Sequence, residues 1–313
     1  MKGDFKTASA DLTRAVELDP TKAAYYSTLA IAYAAEGATL KRASDCDTAI
    51  AVSDKALQRD PRFVDAYGAR GWAYVCKAEV TQSFPSCDTA IAAFTTLIKA
   101  NPRDASAYIG RGRAYNDKWK YDEAIGDENQ ALRLAPRSSR AYNDRGISYT
   151  SKGDQDRAIA DFTKSIGLSN PTGSIKDRAS VYANRGISYS IKEKYREAIT
   201  DFNRAISLNP TDTSFYRSRA IAYFQTTNYK AAIADLIDAL QRDSAEPRNY
   251  NDLAWYLATC PQRDFRDGKR AIQYATKSCE MTNWNRGDFI DTLAASFAET
   301  GEFEKAISRE EEA

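Results

Sequence analysis

The sequence predicts an all-α solenoid, in which short helical hairpins stack one after another along the chain. Three observations predict this fold class. The hexapeptide CDTAIA occurs at residues 46–51 and again at residues 87–92, tyrosines recur in two regular columns, and a small residue recurs between those columns. Self-similarity at a fixed interval of this kind is the signature of a repeat architecture. Each helix is therefore predicted as part of a repeating unit.

The first helix of each repeat is marked by two aromatic columns that lie seven residues apart. Seven residues make about two helical turns, so both columns lie on one face of a helix. A small residue lies between them, where a neighbouring helix must approach closely. The first column is Tyr26, Tyr67, Tyr108, Tyr142, Tyr182, Tyr216, Tyr250 and Ile290, and the small column is Ala30, Gly71, Gly112, Gly146, Gly186, Ala220, Ala254 and Ala294.

The second helix of each repeat is marked by an alanine that precedes isoleucine in most copies. Prolines at positions 20, 61, 102, 136 and 210 follow these helices, and proline stops a helix because it lacks an amide proton and clashes with the preceding turn. The unit is therefore a helix, a turn, a second helix and a stop. The alanine column is Ala49, Ala90, Ala124, Ala158, Ala198, Ala232, Ala271 and Ala306.

The 34-residue spacing and these columns resemble the tetratricopeptide repeat family. The clearest copy is ASAYIGRGRAYNDKWKYDEAIGDENQALRLAP at 105–136. The resemblance covers essentially the whole chain and implies a right-handed superhelix in which the first helices line a concave groove. Residues 251–304 resemble a variant pair near the end of many bacterial arrays, which implies a bacterial source. The predicted array spans 1–313, with a half repeat at 1–20, repeats at 23–61, 64–102, 105–136, 139–170, 179–210, 213–244 and 247–282, and a truncated terminal repeat at 287–313.

Four stretches depart from the 34-residue period and are interpreted as insertions. The two 41-residue intervals predict seven extra residues in enlarged turns between paired helices, at about 38–44 and 78–84. Residues 171–178 (PTGSIKDR) fall between two repeats, and residues 261–268 (PQRDFRDG) fall inside a hairpin. Insertions collect on loops because the stacked core of a solenoid cannot absorb them.

The groove that the resemblance implies carries the predicted partner-binding residues. Six of seven residues in the column five positions after the first tyrosine are apolar, and an exposed apolar stripe usually marks an interaction surface. An alternative is that these isoleucines only pack against neighbouring first helices. Asparagines beside the stripe are suited to bind the main chain of a partner. The predicted groove residues are Ile31, Trp72, Ile109, Arg113, Arg140, Asn143, Asp144, Ile147, Asn184, Ile187, Arg217, Ile221, Arg248, Asn251, Asp252 and Trp255.

An arginine column lies three positions after the tyrosine, and four of its repeats carry a matching aspartate in the second helix. This pattern predicts an Arg–Asp ladder inside the hairpins rather than an open cationic track for a polyanion. Glu128 stands where two other repeats have phenylalanine, and Arg113 and Arg145 are candidates to neutralise it. The arginines are Arg70, Arg111, Arg145, Arg185 and Arg219, and the aspartates are Asp127, Asp161, Asp201 and Asp235.

Composition argues against several classes of function. The 44 Lys and Arg residues nearly balance 43 Asp and Glu residues, so no global basic field exists for nucleic acid or for an anionic membrane. There is no histidine, which removes the commonest general base and metal ligand. The five cysteines lack CxxC spacing and are predicted to be buried thiols, although Cys76 and Cys87 could meet across a turn. No catalytic, cofactor-binding or metal-binding residues are predicted.

The function predicted from these features is a non-enzymatic scaffold that binds a peptide or protein segment in the groove. One alternative is a regulatory or sensor region of a larger protein whose effector domain lies outside this chain. Another is a self-associating module that forms a homo-oligomer through the uncapped N-terminal half repeat. No nucleic-acid partner, no direct insertion into a membrane and no cofactor are expected. The absence of a signal peptide or of a long apolar segment predicts a cytoplasmic location.

Overall fold

The structure, a computed structural model, describes residues 2–169 and 174–310. These residues form seventeen α-helices and one 3-10 helix, and no strand occurs among them. The helices are α1 (Lys2–Leu18), α2 (Ala23–Leu40), α3 (Ala43–Arg59), α4 (Val64–Thr81), α5 (Phe84–Ala100), α6 (Ala105–Asp117), α7 (Tyr121–Leu134), α8 (Ser139–Lys152), α9 (Gln155–Leu168), α10 (Ile175–Ile191), α11 (Tyr195–Leu208), α12 (Thr213–Gln225), α13 (Tyr229–Arg242), α14 (Pro247–Thr259), the 3-10 helix (Arg263–Phe265), α15 (Gly268–Met281), α16 (Gly287–Glu299) and α17 (Phe303–Glu310).

The chain divides into two compact units, Met1–Leu168 and Ser169–Ala313. Unit 1 holds α1 to α9, and unit 2 holds α10 to α17. Inside each unit the two helices of a hairpin pack on each other, and each second helix also packs on the first helix that follows it. The all-α solenoid predicted as the fold class is confirmed, whereas the exact repeat boundaries and a single array over 1–313 stay predictions.

Most first helices begin at a side-chain cap, and five of the second helices end two residues before a proline. The carboxylate of Asp104 accepts hydrogen bonds from the Ser106 and Ala107 amides at the start of α6. Ser138 and Asp212 cap α8 and α12 in the same way. Such caps satisfy amide protons that have no partner inside the helix. Local sequence therefore sets where these helices start.

The small columns are small because aromatic rings from second helices press against them. A Cβ atom added at Gly146 would lie 2.6 Å from the Phe162 ring, and one added at Gly186 would lie 2.9 Å from the Phe202 ring. Both phenylalanines are almost fully buried. The alanines that open the second helices, from Ala49 to Ala271, all have 0% exposure, so a larger side chain has no room in that column either.

The enlarged turns predicted at 38–44 and 78–84 are wrong. Helix α2 continues to Leu40 and α3 begins at Ala43, and α4 and α5 are joined by an equally short turn. Helices α2 and α3 have 18 and 17 residues, against 13 and 14 in α6 and α7. Seven extra residues are close to two helical turns, so about one turn is added to each helix and the aromatic columns keep their face.

The other two insertions differ from each other. Of the insertion predicted at 171–178, the part from Ile175 onward is helical and forms the first turn of α10, which Ser174 caps through the Asp177 amide. Residues 170–173 lie outside the described residues. The insertion at 261–268 is a true loop, and it contains the 3-10 helix before Asp267 caps α15. A longer first helix therefore replaces part of the predicted linker.

The cysteines are paired differently from the option considered from the sequence. Cys46 in α3 forms a disulfide with Cys76 in α4, with a Cα–Cα separation of 5.6 Å. Cys87 is therefore not the partner of Cys76, and it is a buried free thiol together with Cys260 and Cys279. The reason is the stacking order, because the second helix of one repeat lies against the first helix of the next.

Candidate functional site

The predicted Arg–Asp ladder is confirmed in all four hairpins. Each arginine donates two hydrogen bonds from Nε and Nη2 to both carboxylate oxygens of the aspartate sixteen residues later. The eight distances lie between 2.6 and 2.8 Å. The aspartates are buried and the arginine side chains are mostly covered, so paired geometry of this kind is strong. The pairs are Arg111–Asp127, Arg145–Asp161, Arg185–Asp201 and Arg219–Asp235.

The same arginines also reach back to the preceding second helix, which sequence reasoning missed. The Nη1 atom of Arg145 donates to Asn129 Oδ1 at 2.6 Å. Arg111 and Arg219 make the equivalent bond to polar residues sixteen positions earlier, Thr95 and Asn203. Each of these three arginines therefore joins two second helices through one first helix. A polar residue sixteen positions before each arginine was the signal that could have found this contact.

Two tyrosine rings flank each guanidinium of the ladder. The Arg145 guanidinium carbon lies 5.5 Å from the centre of the Tyr142 ring and 5.8 Å from that of Tyr149. Arg111, Arg185 and Arg219 sit between the equivalent rings at similar distances. A cation near the face of a ring is attracted by the ring quadrupole. The tyrosine columns thus contact the ladder arginines as well as the hydrophobic core. The arginines are therefore not available as an open track for a polyanion.

In unit 1 the predicted groove residues make a polar network with each other. The Arg140 guanidinium stacks over the Trp72 ring at 4.5 Å. Arg113 lies 3.5 Å from Glu79 and 3.7 Å from Asp144, whose side chain is 3% exposed. Asn143 donates to the other oxygen of Asp144 at 3.1 Å. These side chains already contact one another, so this surface offers little uncovered apolar area.

The remaining apolar residues predicted for the groove of unit 1 have different environments. Ile31 is 45% exposed, and Ile147 is half-buried. Ile109 is only 6% exposed and packs with Leu132, Ala141 and their neighbours, so its assignment to the groove is wrong. The next first helix, α8, covers it. Ile109 packs on a second helix, α7, as well as on the first helix α8.

Glu128 is fully buried, and neither of the two arginines considered from the sequence pairs with it. Its Oε1 atom accepts a hydrogen bond from the Ser148 hydroxyl at 2.9 Å, and the Asn116 amide donates to that hydroxyl at 2.8 Å. Arg145 is held by Asp161 and Arg113 by Asp144. Burial, together with the nearby Asp144 carboxylate, raises the pKa of Glu128 to about 9. The carboxyl group is therefore protonated at neutral pH.

Three of the exposed apolar side chains of unit 2 lie at the same repeat position, one on each of three successive first helices. Ile187 on α10 is 39% exposed, Ile221 on α12 is 49% exposed and Trp255 on α14 is 45% exposed. Contacts between α10 and α12 and between α12 and α14 make these helices neighbours. The three side chains occupy the same position of the repeat, so they form one column, named here the unit 2 stripe.

The polar residues beside the unit 2 stripe are close to electrical neutrality. Arg217 Nε donates to Asp252 Oδ2 at 2.6 Å, which pairs those two charges. Asn251 is half-buried, and within the described part of the chain its buried Oδ1 atom accepts no hydrogen bond. Asn184 is half-buried and Arg248 is exposed. This surface can therefore receive apolar side chains without placing them beside an unpaired Arg217 or Asp252.

The described residues show no arrangement typical of a metal site or a membrane span. No group of three or more His, Cys, Asp or Glu side chains among them could hold a metal ion. Of the helices in the described ranges, none has both the length and the apolar character that a membrane crossing requires.

Stacked hairpins with these columns define the class of helical-repeat proteins, and the family follows from comparison with known proteins. Models of the tetratricopeptide repeat match residues 179–212, 86–138 and 120–171. Tetratricopeptide repeats are therefore present in these matched residues, which make up less than half of the chain. Proteins of this family serve in general as scaffolds for protein–protein interaction, and this chain has that architecture. No curated protein matches the chain in sequence.

Several solved structures share the fold. A chain of the APC/C hetero-tetramer Cut9–Hcn1 is similar over 82% of this chain, with a TM-score of 0.67 and 22% identity, and this chain spans only 46% of it. A tetratricopeptide repeat protein from Parabacteroides merdae is similar over 87% of this chain and 99% of its own length, with a TM-score of 0.57 and 17% identity. PilF of Pseudomonas aeruginosa is similar over 71% of this chain and 96% of its own length, with a TM-score of 0.55 and 16% identity.

Proposed function

We propose that this chain is a non-enzymatic scaffold whose unit 2 stripe binds a peptide or protein segment that carries apolar side chains. One observation supports this proposal above the others. Ile187, Ile221 and Trp255 are each at least 39% exposed, at one repeat position on neighbouring helices. Side chains of this kind lose contact with water when a partner covers them, and that transfer is the main favourable term in association.

The polar neighbours of the stripe bear on the charge of the ligand. Arg217 and Asp252 pair with each other, so recognition of a strongly charged ligand has no support here. The Oδ1 atom of Asn251, one helical turn before Trp255, is buried and therefore not open to a ligand. The proposed ligand is therefore a segment with apolar side chains and little net charge.

The experiment is a selection from a random peptide library on the full-length chain, followed by affinity measurement. Peptides selected on the wild type should be enriched in spaced apolar residues. Their affinity should fall at least about tenfold in an Ile187→Asp, Ile221→Asp, Trp255→Ala variant, because each buried anchor contributes about 1–2 kcal/mol. Circular dichroism should show an unchanged helical content, since all three side chains are exposed.

The matched control is Trp119→Ala, which removes a 69% exposed tryptophan from unit 1. It should leave the affinity of the selected peptides unchanged. The proposal fails if the triple variant binds every selected peptide as well as the wild type does. It also fails if the control weakens binding as much as the triple variant, since the surface used would then be elsewhere.

Self-association is a second candidate function, and helix α17 supports it. Phe303 and Ile307 are 64% and 61% exposed on the same face of this helix. The two residues equivalent to Ile307 in α13 and α15, Ile233 and Ile272, pack instead against hydrophobic clusters of unit 2. Two copies that place α17 against α17 would bury both patches in a symmetric contact. Light scattering would then give a dimer for the wild type and a monomer for Phe303→Ser, Ile307→Ser, whereas a monomeric wild type would reject this candidate.

The regulatory or sensor role in a larger protein, and self-association through the N-terminal half repeat, stay predictions from the sequence.

A further inference from the structure

The disulfide between Cys46 and Cys76 lies in the interior of unit 1 rather than on its surface. The two residues are 0% and 2% exposed. Cys46 belongs to the second helix α3, and Cys76 belongs to the following first helix α4. The bond therefore joins two successive repeats, across an interface that every repeat must form in order to stack.

The stacking itself places residues thirty positions apart in contact. Directly beside the disulfide, Lys77 Nζ donates to Asp47 Oδ1 at 2.7 Å. The same separation joins Lys118 to Asp88 and Lys152 to Asp122 in the next two interfaces. The Cα–Cα separation of 5.6 Å at the cysteines lies within the usual range for a disulfide. The bridge thus uses a position that the fold already brings together.

Gly37 of the preceding first helix makes the space that the bridge occupies. A Cβ atom added there would lie 2.9 Å from the Sγ atom of Cys46 and 2.9 Å from that of Cys76. Helices α2, α3 and α4 therefore close around the two sulfur atoms. The second copy of the CDTAIA motif lacks this arrangement, since the residue thirty positions after Cys87 is Asp117.

A buried bridge of this kind is not suited to be a reversible switch. Thiol–disulfide exchange needs a thiolate that can reach one of the sulfur atoms, and these sulfur atoms have no access to solvent. The buried Cys87 cannot readily supply that thiolate, because burial together with the Asp117 carboxylate raises its pKa to about 11. The bond must therefore form while the hairpins are still open.

We propose that Cys46–Cys76 is a structural cross-link that the chain acquires as it folds in an oxidising compartment. Its formation removes two protons and two electrons from the two thiols, and a disulfide of a folding catalyst or of glutathione accepts them and is reduced to two thiols. Bonds of this kind persist in oxidising compartments and are rare in the cytosol. This proposed location differs from the cytoplasmic one expected from the sequence, and it is independent of what unit 2 binds.

The test is carried out on the full-length chain produced in one bacterial host, either exported to the periplasm or retained in the cytosol. Cells are lysed directly into denaturant that contains iodoacetamide, so that every free thiol is alkylated, and the alkylated cysteines are then counted. The exported chain should show three alkylated cysteines, Cys87, Cys260 and Cys279, and one peptide pair that links Cys46 to Cys76. Adding dithiothreitol to the native exported protein should not raise the thiol count until denaturant opens the fold.

The cytosolic chain should show five alkylated cysteines and melt about 5–10 °C below the exported chain. Cys87→Ser is the matched control, since it removes a buried thiol of the same motif and should leave both the link and the melting difference intact. Five thiols in the exported chain, or a link from Cys76 to Cys87, would overturn the proposal. So would rapid reduction of the native bond, which is the behaviour of a switch, or equal melting temperatures for the two preparations.

Discussion

At the residue scale, the arginine ladder shows how a charged side chain can be part of a repeat core. Arg145 has four partners: the Asp161 carboxylate, the Asn129 amide oxygen and two tyrosine rings. The hydrogen bond to Asp161 raises the pKa of Arg145, so its charge is fixed at any accessible pH. Removing one member of such a pair leaves the other buried and unpaired, which costs more than the pair contributes.

A double-mutant cycle on Arg145 and Asp161 tests the pair directly. Each single alanine variant should lower the free energy of unfolding by about 2–3 kcal/mol, because the remaining charge loses its partner in a mostly buried site. The double variant should be less destabilised than the sum, with a coupling energy of about 1–2 kcal/mol. Urea unfolding of the four proteins gives these values, and a coupling energy of zero would show that the hydrogen bonds contribute no stability.

Glu128 is the second feature at this scale, and it makes stability depend on pH. Its pKa in the folded chain is about 9, against an ordinary value of 4.5. The folded state thus holds the Glu128 proton more tightly than the unfolded state. The contribution of this group to the free energy of unfolding is fully present below about pH 4.5 and is lost as the pH rises towards about 9. The loss is at most about 1.4 kcal/mol per pH unit within this window.

The Glu128→Gln variant should remove this pH dependence. It keeps the shape of the side chain and an oxygen that can accept from Ser148, but it has no proton to lose. Urea midpoints of the wild type and the variant should be close at about pH 5, and the variant should be the more stable of the two at about pH 8. Glu123→Gln, an exposed change on the same helix, should leave the slope unchanged. A wild type with the same slope as Glu128→Gln would show that Glu128 ionises normally.

At the scale of the element, an insertion of seven residues changes two helices and leaves the repeat intact. Helices α2 to α5 are each longer than their counterparts α6 and α7, yet their tyrosine columns stay in place. The stacking of α3 on α4 places Cys46 beside Cys76, and Gly37 of α2 leaves room for both sulfur atoms. In the next interface the equivalent position is Asp117, the last residue of α6, so no second cysteine is available there.

Replacing Asp117 with cysteine should therefore create a second bridge. Cys87 and position 117 have the same thirty-residue separation as Cys46 and Cys76, and Lys118 pairs with Asp88 one residue further on. The oxidised Asp117→Cys chain should contain two free thiols and be more stable than its reduced form by about 3 kcal/mol in addition to the native bridge. Asp117→Ser is the control for loss of the carboxylate. Three or more free thiols after oxidation would mean that α5 and α6 do not pack as α3 and α4 do.

At the scale of the whole molecule, each hairpin in a stack is stabilised mainly by its contacts with the neighbouring hairpins. Each unit has its own series of small hydrophobic clusters, and no single large core dominates among the described residues. The disulfide lies in one of these clusters, beside Ala34, Ala49 and Ala73. Its effect should fade with distance along the stack, because solenoid repeats are coupled to nearest neighbours only.

Hydrogen exchange on the oxidised and reduced chain would measure how far this effect reaches. Reduction should lower the opening free energy of α3 and α4 by about 3 kcal/mol, because the closed loop between the cysteines is lost from the unfolded ensemble. Helices α8 and α9, at the other end of unit 1, should keep their protection. A uniform loss over α1 to α9 would show instead that unit 1 opens as a single cooperative body.

Much of the fold could be read from the sequence because its contacts are periodic and local. In every copy of the ladder the arginine and the aspartate are sixteen residues apart, as in Arg111 and Asp127. Their pairing therefore follows once the repeat is recognised. The buried alanine and glycine columns follow for the same reason. The candidate site was less accessible to such reasoning. Ile109 and Ile221 are both apolar residues of a first helix, but α8 covers the former and the latter is exposed.

The sequence by itself determined the repeat, the two columns that register its helices and the ion pairs inside each hairpin, since all of these depend on residues close together in the chain. Only the tertiary structure decided how seven inserted residues are used, which cysteines pair and which apolar residues stay exposed. The spacing of the columns in the sequence is the same whether the seven residues enlarge a turn or lengthen two helices. Pairing and exposure depend on which helix lies alongside and how closely it packs, and that is set by the stacking of one repeat on the next.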